Sequence, residues 1–162
     1  MGATASDPRQ KTAAGSSERV REIRRRLGRQ VRHETWNAVN AFLQNKQIQL
    51  PRTVVTVDPV MTTIHLHGYP IVRKTIEAGD TVIKFNMCGW PTTTTLDRMN
   101  AVCETLWGEK LFRRQKGKVW FGPGFLCEMG DHQTITLSMK HFNPRTTDYD
   151  RYQAAAPTTN IA

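Results

Sequence analysis

The sequence is short of the features by which an enzyme or a secreted module is usually recognised. Its three cysteines, Cys88, Cys103 and Cys127, stand far apart with no Cys-x-x-Cys pair. That spacing argues against a disulfide framework and favours a reduced, intracellular setting. His65 and His67 lie two apart on a strand-like segment, with His132 and His141 far downstream. Structural zinc needs four converging ligands and is usually announced by a close cysteine pair, so no metal is expected. No GxxxxGK[ST] or GxGxxG loop is present to cradle phosphates, and no other cofactor is expected. No serine or cysteine stands beside an identifiable base, and no carboxylates are paired, so the chain is read as non-enzymatic. No run approaches the roughly 18 apolar residues of a membrane span, and the first residues lack the apolar segment of a secretory leader. A membrane partner is therefore not expected.

Acidic residues are also in the minority, 14 against 23 Lys and Arg, for a net charge of +9 over 162 residues. Such a balance attracts polyanions. The excess is unevenly placed: residues 1–33 hold nine basic groups against Asp7, Glu18 and Glu22, a net of +6. Arginine dominates there, at Arg21, Arg24, Arg25, Arg26, Arg29 and Arg32, and its planar fork suits bidentate phosphate contacts.

The chain divides into four stretches. Residues 1–16 are small and polar with Pro and Gly, the composition of a flexible, solvated arm, and residues 143–162 read as a tail of the same kind. Between Ser17 and about residue 50, Val20, Ile23, Leu27, Val31, Ala38 and Phe42 recur on one helical stripe with the arginines opposite, which predicts a basic amphipathic helix. Trp36, Val39 and Leu43 widen the stripe, so its C-terminal turns look the more buried.

Residues 51–142 carry the compact domain. TVVTV (53–57), MTTIHLHG (61–68), YPIVRKTI (69–76) and TVIKFNM (81–87) are β-branched and alternating, which predicts an antiparallel meander. Thr94, three residues before Asp97, predicts a helix start; Leu96, Met99, Cys103 and Leu106 form its apolar stripe, and Gly108 closes it. Gly89 and Pro91 are read as turning the chain, with Trp90 wedged in the corner. LFRRQ (111–115) and VWFG (119–122) read as a hairpin across Lys116-Gly117-Lys118, and FLCEM (125–129) with QTITLSM (133–139) as a further pair. The fold class expected is α+β: an antiparallel sheet with one packed helix, preceded by the basic helix.

Ile64-x-Leu66-His67-Gly68, then Gly89-Trp90-x-Thr92-x-Thr94-Thr95-x-x-Arg98-Met99-Asn100, then a hairpin ending at Trp120, together resemble a family of small proteins of tailed bacteriophages and prophages. The resemblance covers about residues 61–122. It implies a viral origin and a compact β-α-β module, and no activity.

The residue reading therefore favours a phage-type protein associated with nucleic acid, DNA or RNA, in the host cytoplasm or the virion. The candidate contacts are the six helix arginines and a second patch, Arg113, Arg114, Lys116 and Lys118, interleaved with Phe112, Trp120 and Phe121. Aromatics among basic residues can stack exposed bases; as core residues, Phe112 and Trp120 would do no such thing. Arg98 and Asn100 lie off the apolar stripe of their helix and are kept as candidate ligand contacts or local hydrogen-bonding groups. Two other readings stay open: a structural component of the phage particle contacting other virion proteins, and a small inhibitor whose basic face binds an acidic host protein.

Overall fold

A computed structural model describes residues 8–125 and 127–145. The expected arm at residues 1–7 and tail from residue 146 lie outside the described residues. By contacts the chain forms two units, one up to Glu34 and one from Thr35 onward.

The first unit is helical. Helix α1, Pro8–Leu43, begins within the stretch read as an arm and continues into the second unit, where its last turns lie. Proline suits a first helical position because its φ is already near the helical value and it has no amide to leave unbonded.

The second unit is α+β. Its strands are β1 (Ile48–Gln49), β2 (Thr53–Val57), β3 (Met61–Leu66), β4 (Tyr69–Glu77) and β5 (Asp80–Phe85), followed by helix α2 (Thr93–Trp107). Then come β6 (Phe112–Gln115), β7 (Lys118–Phe121), a short 3-10 turn at Pro123–Phe125, β8 (Cys127–Met129) and β9 (Ile135–Ser138). A six-stranded antiparallel sheet has the order β1-β2-β3-β4-β5-β9, and a three-stranded sheet the order β6-β7-β8. The segments 125–129 and 133–139 are therefore not a hairpin with each other. β8 pairs with β7 and β9 with β5.

The alternation that marks the meander also builds its core. Val55, Ile64, Val72, Phe85 and Ile135 are successive cross-strand partners in one row, all buried. Side chains directly opposite on one face are the unit by which strands hold register. One step along the same face lies the row Thr62, Lys74, Ile83 and Leu137. Lys74 thus points inward, and its ammonium donates to the carbonyls of Phe42 (2.8 Å) and Leu43 (3.4 Å) at the end of α1. Burial lowers its pKa from the usual lysine value, while the hydrogen bonds satisfy helix-end carbonyls that have no partner within the helix.

More than one helix covers the core. Ala38, Val39 and Phe42 from the last turns of α1 are wholly buried alongside Met99, Val102 and Cys103 of α2. The end of the basic helix is therefore a core element, in keeping with the wider apolar stripe there. Helix α2 starts two residues earlier than Thr94 and Asp97 suggest. Thr92 is the N-cap, its hydroxyl accepting from the Thr95 amide at 3.2 Å, and Gly108 closes the helix with a left-handed φ of 76°.

Candidate nucleic-acid interface

In the first unit, Arg21, Arg24, Arg25, Arg26, Arg29 and Arg32 are all exposed. At 100° per residue, Arg21, Arg25, Arg29 and Arg32 fall within an arc of about 80°, with Arg24 and Arg26 about 60° to either side of it. The four on the arc span about 16 Å at 1.5 Å per residue, an axial length over which one duplex strand presents about five phosphates. Glu22 lies among them, accepting from Arg26 at 3.2 Å and Arg29 at 3.3 Å and standing 4.0 Å from Arg25. These pairs are solvent-exposed and weak, so a phosphate can replace the carboxylate at little cost. Val20 and Ile23 point to the opposite side of the helix and are about half exposed, at 46% and 53%.

In the second unit the basic hairpin forms as expected. Lys116 and Gly117 both take left-handed φ values, 52° and 75°, as a two-residue turn between twisted strands demands. The strand register divides the hairpin's side chains between two faces. Phe112, Phe121 and Cys127 form one row and lie in the core. Arg113, Trp120 and Glu128 form a row on the other face, with Gln115 and Lys118 beside it. Phe112 is thus a core residue, whereas Trp120 is half-buried and lines a shallow concavity with Gln115, Lys116 and Lys118. Glu128 stands 3.4 Å from Lys118 and offsets part of the charge. Arg114 is exposed on the edge of the core-facing side.

Arg98 and Asn100 serve the fold. Arg98 is fully buried. Its Nε donates to the Thr53 hydroxyl of β2 at 3.2 Å, and its Nη1 donates to the Thr35 hydroxyl of α1, so one guanidinium ties both helices to the sheet. The Asn100 carbonyl accepts from the amides of Leu111 (3.1 Å) and Phe112 (2.9 Å), and its amide donates to the Phe112 carbonyl at 2.8 Å. One side chain thereby satisfies the backbone that enters β6.

His65 and His67 do not share a strand face. His65 sits in β3, hydrogen-bonded to the Thr56 hydroxyl at 3.0 Å, while His67 lies in the turn beyond with φ at 50°. Burial, with Arg73 nearby, pulls the His65 pKa below the usual histidine value despite a backbone hydrogen bond at Gly68 that opposes the shift. Among the described residues no three His, Cys, Asp or Glu side chains gather as a metal site would need. Cys103 is wholly buried, which raises its thiol pKa well above normal, with Glu104 adding to the effect. No helix among the described residues is long and apolar enough to cross a membrane.

The corner before α2 holds what residue-by-residue reading missed. Trp90 is 54% exposed rather than wedged, and its ring meets that of Tyr69 with centroids 5.9 Å apart. The sequence carries a sign of it in the two motifs around Leu66-His67-Gly68 and Gly89-Trp90, whose meeting in space no spacing rule reveals.

Compared with known proteins, residues 31–147 match a family described as Kyanoviridae Gp96 protein. No curated protein and no solved structure matches the chain.

Proposed function

The chain belongs to the Kyanoviridae Gp96 protein family, a bacteriophage family, and on that premise we propose a non-enzymatic protein that binds the phosphate backbone of nucleic acid. The observation that carries the proposal is the exposed stripe of Arg21, Arg25, Arg29 and Arg32, flanked by Arg24 and Arg26. Guanidinium groups at one-turn intervals match a polyanion better than a single acidic patch, because each can neutralise its own phosphate and release the condensed counterion. The outer face of the three-stranded sheet, with Arg113, Lys118 and Trp120 side by side, is a second contact of the same kind; Lys116 at the turn extends it, and Arg114 adds positive charge from the other face of the strand.

Fluorescence anisotropy with labelled duplex and single-stranded oligonucleotides tests the proposal. Binding is expected at low salt and should weaken steeply as salt rises. With four phosphates neutralised, affinity falls about 150-fold between 50 and 200 mM salt, from a slope of about −0.9 per phosphate. Absent or salt-insensitive binding refutes the reading.

A further inference from the structure

The two motifs that the sequence keeps apart meet at one place. Leu66 and His67 at the end of β3 face Trp90, Thr92, Thr94 and Thr95 at the start of α2 across a pocket of about 370 Å³, within the range of small-ligand sites. Its floor is apolar, formed by Leu66, Ile71 and Met87, and none of its lining side chains is a lysine, arginine or carboxylate. At the mouth stand two large aromatic rings, Trp90 at 54% and Tyr69 at 43% exposure, in tilted contact with each other. The Trp90 backbone is fixed, with its amide donating to the Met87 carbonyl at 2.9 Å and its carbonyl accepting from Thr92 at 2.8 Å. The turn thus fixes the backbone that carries the ring, and the ring rests against Tyr69. Two polar groups on the rim, the His67 imidazole and the Thr94 hydroxyl, make no side-chain hydrogen bond among the described residues.

We propose that this pocket receives an unpaired base of a single-stranded nucleic acid, stacked on Trp90 with its polar edge at Thr94 and His67. The proposal rests on the nucleic-acid reading for the strand's phosphates and adds a site for the base. An apolar side chain would fill the floor but offer nothing to the imidazole and the hydroxyl. A base has both a flat apolar face and a hydrogen-bonding edge, and the imidazole nitrogens and the threonine hydroxyl can each hydrogen-bond to that edge. The lack of lysine or arginine in the lining suits a base and disfavours a phosphate at this spot, so backbone charge and base are met by different parts of the chain.

The experiment compares a labelled oligothymidylate with an abasic strand of equal length, which keeps every phosphate and lacks the bases, by anisotropy at one salt concentration. The full chain should bind the oligothymidylate about 5- to 160-fold more tightly, the range for loss of one base–aromatic stack. Trp90→Ala should lose that preference while binding the abasic strand as the unsubstituted protein does, Tyr69→Ala should weaken it, and Trp90→Phe should retain part of it. Both rings are about half exposed, and an unchanged melting temperature in each variant confirms that the fold is intact. Equal affinity of the unsubstituted protein for both strands, or full preference kept by Trp90→Ala, overturns the proposal and leaves the pocket to an apolar side chain of a protein partner. Failure of the phosphate reading looks different: the abasic strand would not bind at all.

Discussion

Replacing Arg98 should unfold the protein more readily while sparing its surface contacts. The side chain is fully buried and donates to two threonine hydroxyls, themselves buried, on α1 and β2. Arg98→Ala removes a long side chain from a packed site and strips a partner from each hydroxyl. A buried hydroxyl left without a partner, as at Thr53, costs about 1–3 kcal/mol, and the vacated volume adds a cavity term. Part of this is returned because a charged group no longer has to be held out of water. The net loss expected is about 3–5 kcal/mol, the range for truncating a large buried side chain to alanine. At about 2–4 °C per kcal/mol for a chain of this length, the melting temperature should fall by roughly 6 to 20 °C. Arg98→Met, which restores most of the volume, should lose less. Thermal and urea unfolding followed by circular dichroism give the answer, with oligonucleotide anisotropy measured in parallel below the transition. A melting temperature within about 2 °C of the unsubstituted protein, together with weakened oligonucleotide binding, would refute the reasoning and return Arg98 to the surface contacts.

Other consequences are equally direct. Asn100→Ala should destabilise by about 2–4 kcal/mol, since two amides and a carbonyl at the entry to β6 lose their partner; a urea midpoint unchanged from the parent would contradict it. Gly89→Ala should cost about 1–3 kcal/mol, because φ is +83° there and an added Cβ would come within 2.9 Å of the His132 ring; adding His132→Ala should recover only the steric part, and full recovery would show that the backbone is unstrained. His65 has a folded-state pKa below its unfolded value, so the folded protein binds fewer protons. Its contribution to stability is complete above the unfolded value near 6.5 and is lost as pH falls through the folded value. Urea titrations at pH 7.5 and pH 5 should therefore show a smaller acid-side loss in His65→Gln than in the parent, and an equal or larger loss would contradict the assignment.

The meander was legible because β-branched alternation writes each strand locally, and Val55, Ile64, Val72 and Phe85 each sit at an apolar step of that pattern. Partner choice was not. Residues 127–129 and 135–138 are close in sequence and look like a hairpin, yet β8 pairs with β7 in the small sheet and β9 with the longer β5 in the large one. Four threonines in a row left the helix start ambiguous, since each supplies the same capping hydroxyl. Pro91 comes just before the residue that caps, and the chain is already extended at Thr92, with φ −87° and ψ 160°.

Arg98 escaped because a stripe argument assumes a helix covered on one side. Thr95, Leu96, Arg98, Met99, Ala101, Val102 and Cys103 are all buried, an arc of about 220° at 100° per residue. A helix lying between the large sheet, the end of α1 and β6 buries residues well outside a single stripe. The helix arginines were legible as a charged face, because on an exposed helix periodicity and exposure coincide. The Tyr69–Trp90 pocket was not, because it exists only where the β3–β4 turn and the entry to α2 come together.

The proposed phosphate contact rests above all on the arginine stripe of the first helix. The most direct test is the dependence of log affinity on log salt for one duplex, measured for the parent chain and for a variant with Arg21, Arg25, Arg29 and Arg32 all changed to alanine. Neutralisation of one phosphate by each arginine predicts that the slope becomes shallower by about 3.6 and that affinity at low salt collapses. An unchanged slope with unchanged affinity would contradict the claim.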